Sequence, residues 1–344
     1  MTGRASHTGI PASVATGRLV RLDLVTNPYG PVERVIDAVS RFDTWTEPTG
    51  ALASTLRARL GARAGVPEDW VVLANGIDEL HAMIAQWRND HGPLVIFPPS
   101  DSLLEAWLRR HTAQVEVVNR GRDFALPVEA TRGRLPRDAT TVVMSPNDPT
   151  GTITTVQEAV RLSRQSSLVV IDERHAAYSP RSLLPLVREF ENMVVLQTFE
   201  THAALTAFPL AWGIAPPRIA REIAARQRPS GLAHASIVAG LAALDADVEI
   251  KATVRRVMVE KGRLFRQLRK LSMISPPYPS WANFLLARFE RGSADFFLPR
   301  LAARGIVVHR VDHPRLPNHI RVSGVSIDAT TALKQALIEI ALDL

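Results

Sequence analysis

Leu168-Val169-Val170-Ile171-Asp172-Glu173 is a run of four apolar residues followed by two acids. A run this short, without alternation and rich in β-branched residues, reads as a strand buried on both faces. Five similar runs accompany it: Val71-Val72-Leu73, Leu94-Val95-Ile96-Phe97, Val115-Glu116-Val117-Val118, Thr141-Val142-Val143-Met144 and Val194-Val195-Leu196. Helix-length segments separate them. Asp78 to Trp87 and Thr155 to Arg164 carry helical spacing, the first opened by a cap-like signal at Gly76 and Asp78. The pattern predicts an α/β architecture with a mostly parallel sheet covered on both faces.

After about residue 245 the texture changes. A long charged amphipathic helix, Val248 to Leu271, runs into the turn Ser275-Pro276-Pro277-Tyr278-Pro279. A strand (Asn283 to Arg288), a helix (Ala294 to Arg304), two strands (Ile306 to Val311 and His319 to Ser323) and a helix (Ala329 to Leu342) follow. This is a compact α+β unit, so a boundary is expected near 245, with 246–344 as a small C-terminal domain.

The 344 residues, 46% hydrophobic and 22% charged, suffice for a large domain and a smaller one. The absence of cysteine excludes disulfides, thiolate zinc sites and cysteine nucleophiles. Met1 to Arg18 has no apolar signal core, and no apolar run reaches the roughly 18 residues needed to cross a bilayer, so no membrane association and a cytoplasmic location are expected. The net charge of +7 is spread over scattered arginines, many beside acids, so a nucleic-acid partner is not expected.

In a parallel α/β sheet, ligands sit at the carboxyl ends of the strands. The loops there are distinctive: Asn75-Gly76-Ile77-Asp78-Glu79-Leu80, whose helix start suits a phosphate; Ser145-Pro146-Asn147-Asp148-Pro149-Thr150-Gly151; Ile171-Asp172-Glu173; and Thr198-Phe199-Glu200-Thr201-His202. In order and spacing they resemble the fold-type I pyridoxal-phosphate (PLP) aminotransferases of the histidinol-phosphate aminotransferase and threonine-phosphate decarboxylase branch. Asn27-Pro28-Tyr29-Gly30-Pro31 resembles that family's N-terminal arm. Ala282-Asn283-Phe284, Arg304-Gly305-Ile306-Val307-Val308 and His319-Ile320-Arg321-Val322-Ser323 resemble its small domain.

The resemblance implies an aspartate-aminotransferase-like fold, with an arm at 1–30, a large domain at 31–245 and the small domain at 246–344, assembled as a homodimer. It implies that Asp172 faces the cofactor's ring nitrogen and that Arg321 grips a substrate carboxylate, with Asn27, Tyr29 and Asn147 as further substrate contacts. A bidentate guanidinium–carboxylate pair is the physical basis of the Arg321 expectation.

The remaining positions depart from the pattern. The family's catalytic lysine would fall at Thr201, and the arginine that holds the cofactor phosphate at Pro209. The partner of the cofactor's phenolic oxygen would be Asp148, and the following tyrosine His175. The loop Pro98-Pro99-Ser100-Asp101-Ser102-Leu103 has no aromatic residue to stack on the ring, and Ile77 replaces a small polar residue in the phosphate loop. The chain's lysines are Lys251, Lys261, Lys270 and Lys334. Asp172, Thr201 and Asp78 therefore read as a vestigial cofactor site. No cofactor is expected, any PLP being held noncovalently, and the spacing gives no metal signal.

The acids and histidines of these loops, Asp148, Glu200, His175 and His202, suit acid–base chemistry, because a histidine beside a carboxylate is a ready general base. The expected function is a repurposed, PLP-independent enzyme acting on an amino-acid-like or carboxylate small molecule in biosynthesis. A noncatalytic pseudoenzyme and a noncovalent PLP enzyme with histidine in the lysine's role are the alternatives. Plainer readings exist as well: a turn-forming Asp148 before Pro149, and an Arg321 that serves only as an ion-pair residue.

Overall fold

The computed structural model describes residues 19–43, 48–89, 91–112, 114–228 and 231–344; residues 1–18, most of the expected arm, lie outside them. The chain begins with β1 (Val20–Leu22), α1 (Glu33–Ser40) and α2 (Gly50–Ala64). Then come β2 (Val71–Ala74), α3 (Ile77–Arg88), β3 (Leu94–Ile96), α4 (Ser102–His111), β4 (Val115–Val117), β5 (Thr140–Met144), α5 (Val156–Gln165), β6 (Leu168–Asp172), β7 (Met193–Thr198) and β8 (Ala211–Ile214). It continues through α6 (Pro217–Ala224), α7 (His234–Asp245), α8 (Asp247–Leu268), β9 (Leu285–Arg288), α9 (Ala294–Ala303), β10 (Ile306–Arg310), β11 (His319–Val322) and α10 (Ile327–Ala341).

The large sheet has the order β2-β8-β7-β6-β5-β3-β4, and β8 alone runs antiparallel to its neighbours. Alternate residues of the central strands feed two cores. Val143, Val169, Ile171 and Val195 join one, while Val142, Val170, Val194 and Leu196 join the other with Leu80, Met83 and Ile84 of α3. Burial on both faces is why these strands read as unbroken apolar runs.

Register places the chemistry. Met144 pairs with Asp172 and Asp172 with Leu196, so β5 and β6 end level and β7 runs on to Thr198, which starts their loops side by side. The 145–151 loop leads into α5 through a capping box: the Thr155 hydroxyl accepts from Glu158 N–H at 3.2 Å, and the Glu158 carboxylate accepts from Thr155 N–H at 2.7 Å.

The second sheet has the order β1-β10-β11-β9, with β1 parallel to β10. Residues 20–22, inside the segment expected as an arm, are thus a strand beside the chain's far end. Helix α8 stops at Leu268, with Leu271 folded back in a turn onto it at 3.0 Å. The Pro-rich segment after it closes onto the large sheet at Gly151, where a Cβ would lie 2.2 Å from the Ser280 hydroxyl. Gly151 carbonyl accepts there from Trp281 N–H at 2.8 Å. Among the described residues no helix is long and apolar enough to cross a membrane.

Candidate functional site

Asp172 ends β6 wholly buried. Its Oδ2 accepts from His81 Nε2 at 2.8 Å and from Arg174 Nη2 at 2.7 Å, and its Oδ1 accepts from the Arg174 backbone N–H at 3.0 Å. Burial by itself would raise the carboxyl's pKa. The charge of Arg174 and the hydrogen bonds from His81 and Arg174 outweigh burial and hold it well below the carboxylate range. Arg174 also reaches Asp101 at 3.4 Å, and these acids keep its guanidinium charged against the desolvation that opposes it. The sequence reading missed His81 and Arg174. His81 lies within the expected first helix and Arg174 two residues past Asp172, but nothing local says that their side chains converge.

Behind this cluster, Arg321 of β11 forms an ion pair with Asp148, and its second terminal nitrogen donates to the Asp23 carbonyl at 2.9 Å. The plainer reading of Arg321, an ion-pair residue, describes this geometry, and Asp148 points to Arg321 and not back to its own turn. Burial again raises the Asp148 pKa, and the Arg321 charge more than reverses it.

The His175 ring stands edge-on to Phe284 at 5.4 Å between centroids, with its Nε2 4.0 Å from Asp148 Oδ2. Neither ring nitrogen has a hydrogen-bond partner among the described residues, although His175 is only 1% exposed. Burial lowers its pKa to about 4 despite the opposing charge of Asp148, so the ring is neutral at pH 7. His309 of β10, also absent from the sequence reading, is lowered to about 4 by burial and then by Arg321.

The loop after β7 carries three expected residues to three different places. The Glu200 carboxylate lies over the start of α3, where a Cβ on Gly76 would come within 3.2 Å of its Oε1 and 3.3 Å of Pro209 Cβ. Burial raises its pKa, opposed by hydrogen bonds from Thr198 and the Ile77 backbone. The Thr201 hydroxyl donates to the Arg174 carbonyl at 2.6 Å. His202 packs against Phe199, and the charges that act on it are Arg63 and Asp247, none of those that act on His175. The structure thus brings Asp148, His175, Asp172 and Arg321 together and leaves the His202 side chain elsewhere.

The expected substrate contacts are engaged internally. Asn27 donates to the His202 carbonyl at 2.9 Å and to the Thr253 hydroxyl at 2.7 Å. Asn147 accepts from Arg120 at 2.9 Å and donates to the Pro99 carbonyl and the Thr150 hydroxyl. The Tyr29 ring lies 3.9 Å beneath the Arg256 guanidinium. Asp78 is exposed on α3 and acts on Arg174 and Glu200 through its charge. Among the described residues no trio of acids and histidines is arranged for a metal ion.

Residues 19–337 match the family model of the class I and II aminotransferases. The chain belongs to that family. It is 28% identical over 327 residues to the chloroplastic histidinol-phosphate aminotransferase of Nicotiana tabacum, covering 93% of this chain and 78% of that one. It is 29% identical over 351 residues to the histidinol-phosphate aminotransferase of Roseiflexus castenholzii, covering 98% and 92%. The fold agrees with the histidinol-phosphate aminotransferase of Sinorhizobium meliloti, solved in complex with pyridoxal-5'-phosphate, at a TM-score of 0.84 and 20% identity over 94% of this chain and 90% of that one. It also agrees with the L-threonine-O-3-phosphate decarboxylase of Porphyromonas gingivalis, at 0.80 and 17% over 95% and 100%. The fold is therefore aspartate-aminotransferase-like, as the resemblance implied.

These relatives correct the expectation of no cofactor. A same-fold histidinol-phosphate aminotransferase holds PLP, so PLP is the cofactor of this family. The residues as placed do not fit PLP in the manner the resemblance implies, because Arg174 covers Asp172 and Glu200 covers the start of α3. PLP entering there has to displace both side chains.

Proposed function

We propose that this chain is a repurposed aminotransferase-family protein that acts on an amino-acid-like small molecule at the strand-end site, with His175 as acid/base group and without a lysine-bound cofactor. The observation that carries this reading is that the strand-end loops hold no lysine, while Arg174 occupies Asp172. Lys251 and Lys261 lie on α8, Lys270 just past it and Lys334 on α10. The buried Lys261 donates its amine to the carbonyls of Ser280 and Ala282 at 2.6 and 2.7 Å. Thr201, at the position the resemblance gives to the family's lysine, has a hydroxyl that cannot form a Schiff base.

A neutral His175 beside Asp148 can accept a proton, and the carboxylate stabilises the imidazolium that results. Phe284 packs edge-on with the ring, which is almost wholly buried. The names of the relatives support an amino-acid-like substrate. The homodimer and the cytoplasmic location belong to the same proposal. A second reading, a noncatalytic member of the family, is favoured by the internal pairing of Asn27, Asn147 and Arg321.

The test is reduction with borohydride after incubation with PLP, followed by peptide mapping. The expected result is no lysine that carries a pyridoxyl group at the stoichiometry of the chain. A stoichiometric adduct on Lys261 or any other lysine overturns the reading.

A further inference from the structure

Away from the strand ends, the C-terminal half of α8 and the turn that follows it line a cleft of about 310 Å³, near the lower end of the range that holds small ligands. Phe265, Pro279, Trp281 and Leu285 give it apolar and aromatic walls, and its charged groups are the Lys261 ammonium and the Arg266 guanidinium. It shares no lining residue with the cluster of Asp148, Asp172, His175 and Arg321.

Both cations lack an acid. Lys261 is 6% exposed, and two of its three N–H groups donate to the Ser280 and Ala282 carbonyls at 2.6 and 2.7 Å. One N–H and the whole positive charge remain, and no carboxylate among the described residues offsets them. Burying a charge without a counter-ion is costly, and desolvation lowers the amine's pKa to about 8. Arg266 makes no ion pair among the described residues either, whereas neighbouring Arg263 faces Glu260 at 3.7 Å.

Gly262 supplies an independent observation. It lies in the interior of α8, where glycine is less stable than alanine. Packing does not demand it, since a Cβ there would meet only Arg266 Nη1, at an ordinary 3.6 Å. What the missing side chain does is leave the cleft open beside Arg266.

We propose that this cleft binds a small aryl carboxylate, with its ring against Phe265 and Trp281 and its carboxylate on Lys261 and Arg266. Aromatic walls favour a flat apolar body, and two cations without acids favour an anion over a neutral amide of the same shape. The cleft lies apart from the strand-end site, so the proposal does not depend on the function proposed there.

The full chain is titrated with phenylacetate and, separately, with phenylacetamide, and binding is read by calorimetry together with the side-chain ε-carbon resonances of Lys251, Lys261, Lys270 and Lys334. Native protein binds phenylacetate at least about tenfold more tightly than phenylacetamide. The Lys261 resonance moves, and its titration midpoint rises above about 8, because a bound anion favours the charged amine. Lys270, exposed beside Arg263, Arg266 and Arg269, is the control for unspecific attraction to a basic surface. Gly262→Leu fills the cleft and keeps both charges; it abolishes binding without lowering the thermal midpoint. Where that variant fails to fold, Arg266→Gln at an exposed position carries the test, weakening phenylacetate and not phenylacetamide. Phenylacetamide binding as tightly as phenylacetate overturns the proposal, as does phenylacetate binding that Gly262→Leu leaves unchanged. A Lys270 resonance that moves while Lys261 stays, or no detectable phenylacetate binding, overturns it too. The strand-end reading stands or falls separately from all of these outcomes.

Discussion

Arg174→Met isolates the contact on which the strand-end arrangement depends. The variant keeps the side chain's bulk but removes the guanidinium that contacts Asp172 Oδ2 through Nη2 at 2.7 Å and Nε at 2.9 Å. Asp172 is 0% exposed and would retain His81 and one backbone N–H. Removing one partner of a buried pair leaves an uncompensated charge and costs about 3–5 kcal/mol. At about 1.4 kcal/mol per factor of ten, the unfolded fraction rises by roughly two to three and a half orders of magnitude. The pH dependence has a definite sign. Asp172 has a depressed folded-state pKa, so its contribution is fully present above the unfolded value near 3.9 and is lost as pH falls through the folded value. Arg174→Met shrinks that depression, so the gap between native and variant is widest at neutral pH and narrows below about pH 4. Guanidinium denaturation at pH 7 and near pH 3 measures both. Adding Asp172→Asn to Arg174→Met should recover much of the loss, since a neutral amide leaves no buried charge. A neutral-pH cost below about 1 kcal/mol, or a gap unchanged by acid, would mean that Arg174 does not hold the buried Asp172 charge.

Glu200→Gln is expected to stabilise the protein at pH 7. Burial raises the folded-state pKa of Glu200, so its ionisation is penalised in the folded chain above that pKa, and the advantage of glutamine should vanish below the unfolded value near 4.3; thermal midpoints at pH 7 and pH 4 check it. Gly76→Ala should cost on the order of 1–3 kcal/mol, because Gly76 has a φ of +91° and a Cβ would meet Glu200 and Pro209, and a denaturation midpoint equal to native would remove the close approach from the account.

The legible part of the fold follows from burial. Strands covered on both faces need no polar alternation, so Leu168–Ile171 and its companions stood out, and α5 was legible from the helical spacing of Thr155 to Arg164. Strand β8 did not, because Ala211-Trp212-Gly213-Ile214 is short, has one β-branched residue and contains a glycine whose place is set by Leu196 across the sheet. Strand β1 was hidden for another reason: its partner lies some three hundred residues away, and a three-residue edge carries no period of its own. In the site, Asp148, Asp172, His175 and Arg321 could be found because each sits at a strand end or on a strand. His202 is one residue from Thr201, yet its side chain leaves in another direction, which sequence adjacency does not encode. His81, Arg174 and His309 act through contacts between elements, and a local pattern holds no trace of those. PLP was judged from missing partners in the sequence alone, and the PLP-bound relative shows the limit of that argument.

The proposed function requires a neutral, buried His175 beside Asp148 to take up a proton during turnover. The pH profile of kcat/KM for turnover of an amino-acid-like amine reports the free protein's essential base. The expected profile has an acid limb with an apparent pKa of about 4 that disappears, with most of the rate, in His175→Gln. A limb near the ordinary histidine value of about 6.5, or a profile that His175→Gln leaves unchanged, contradicts it.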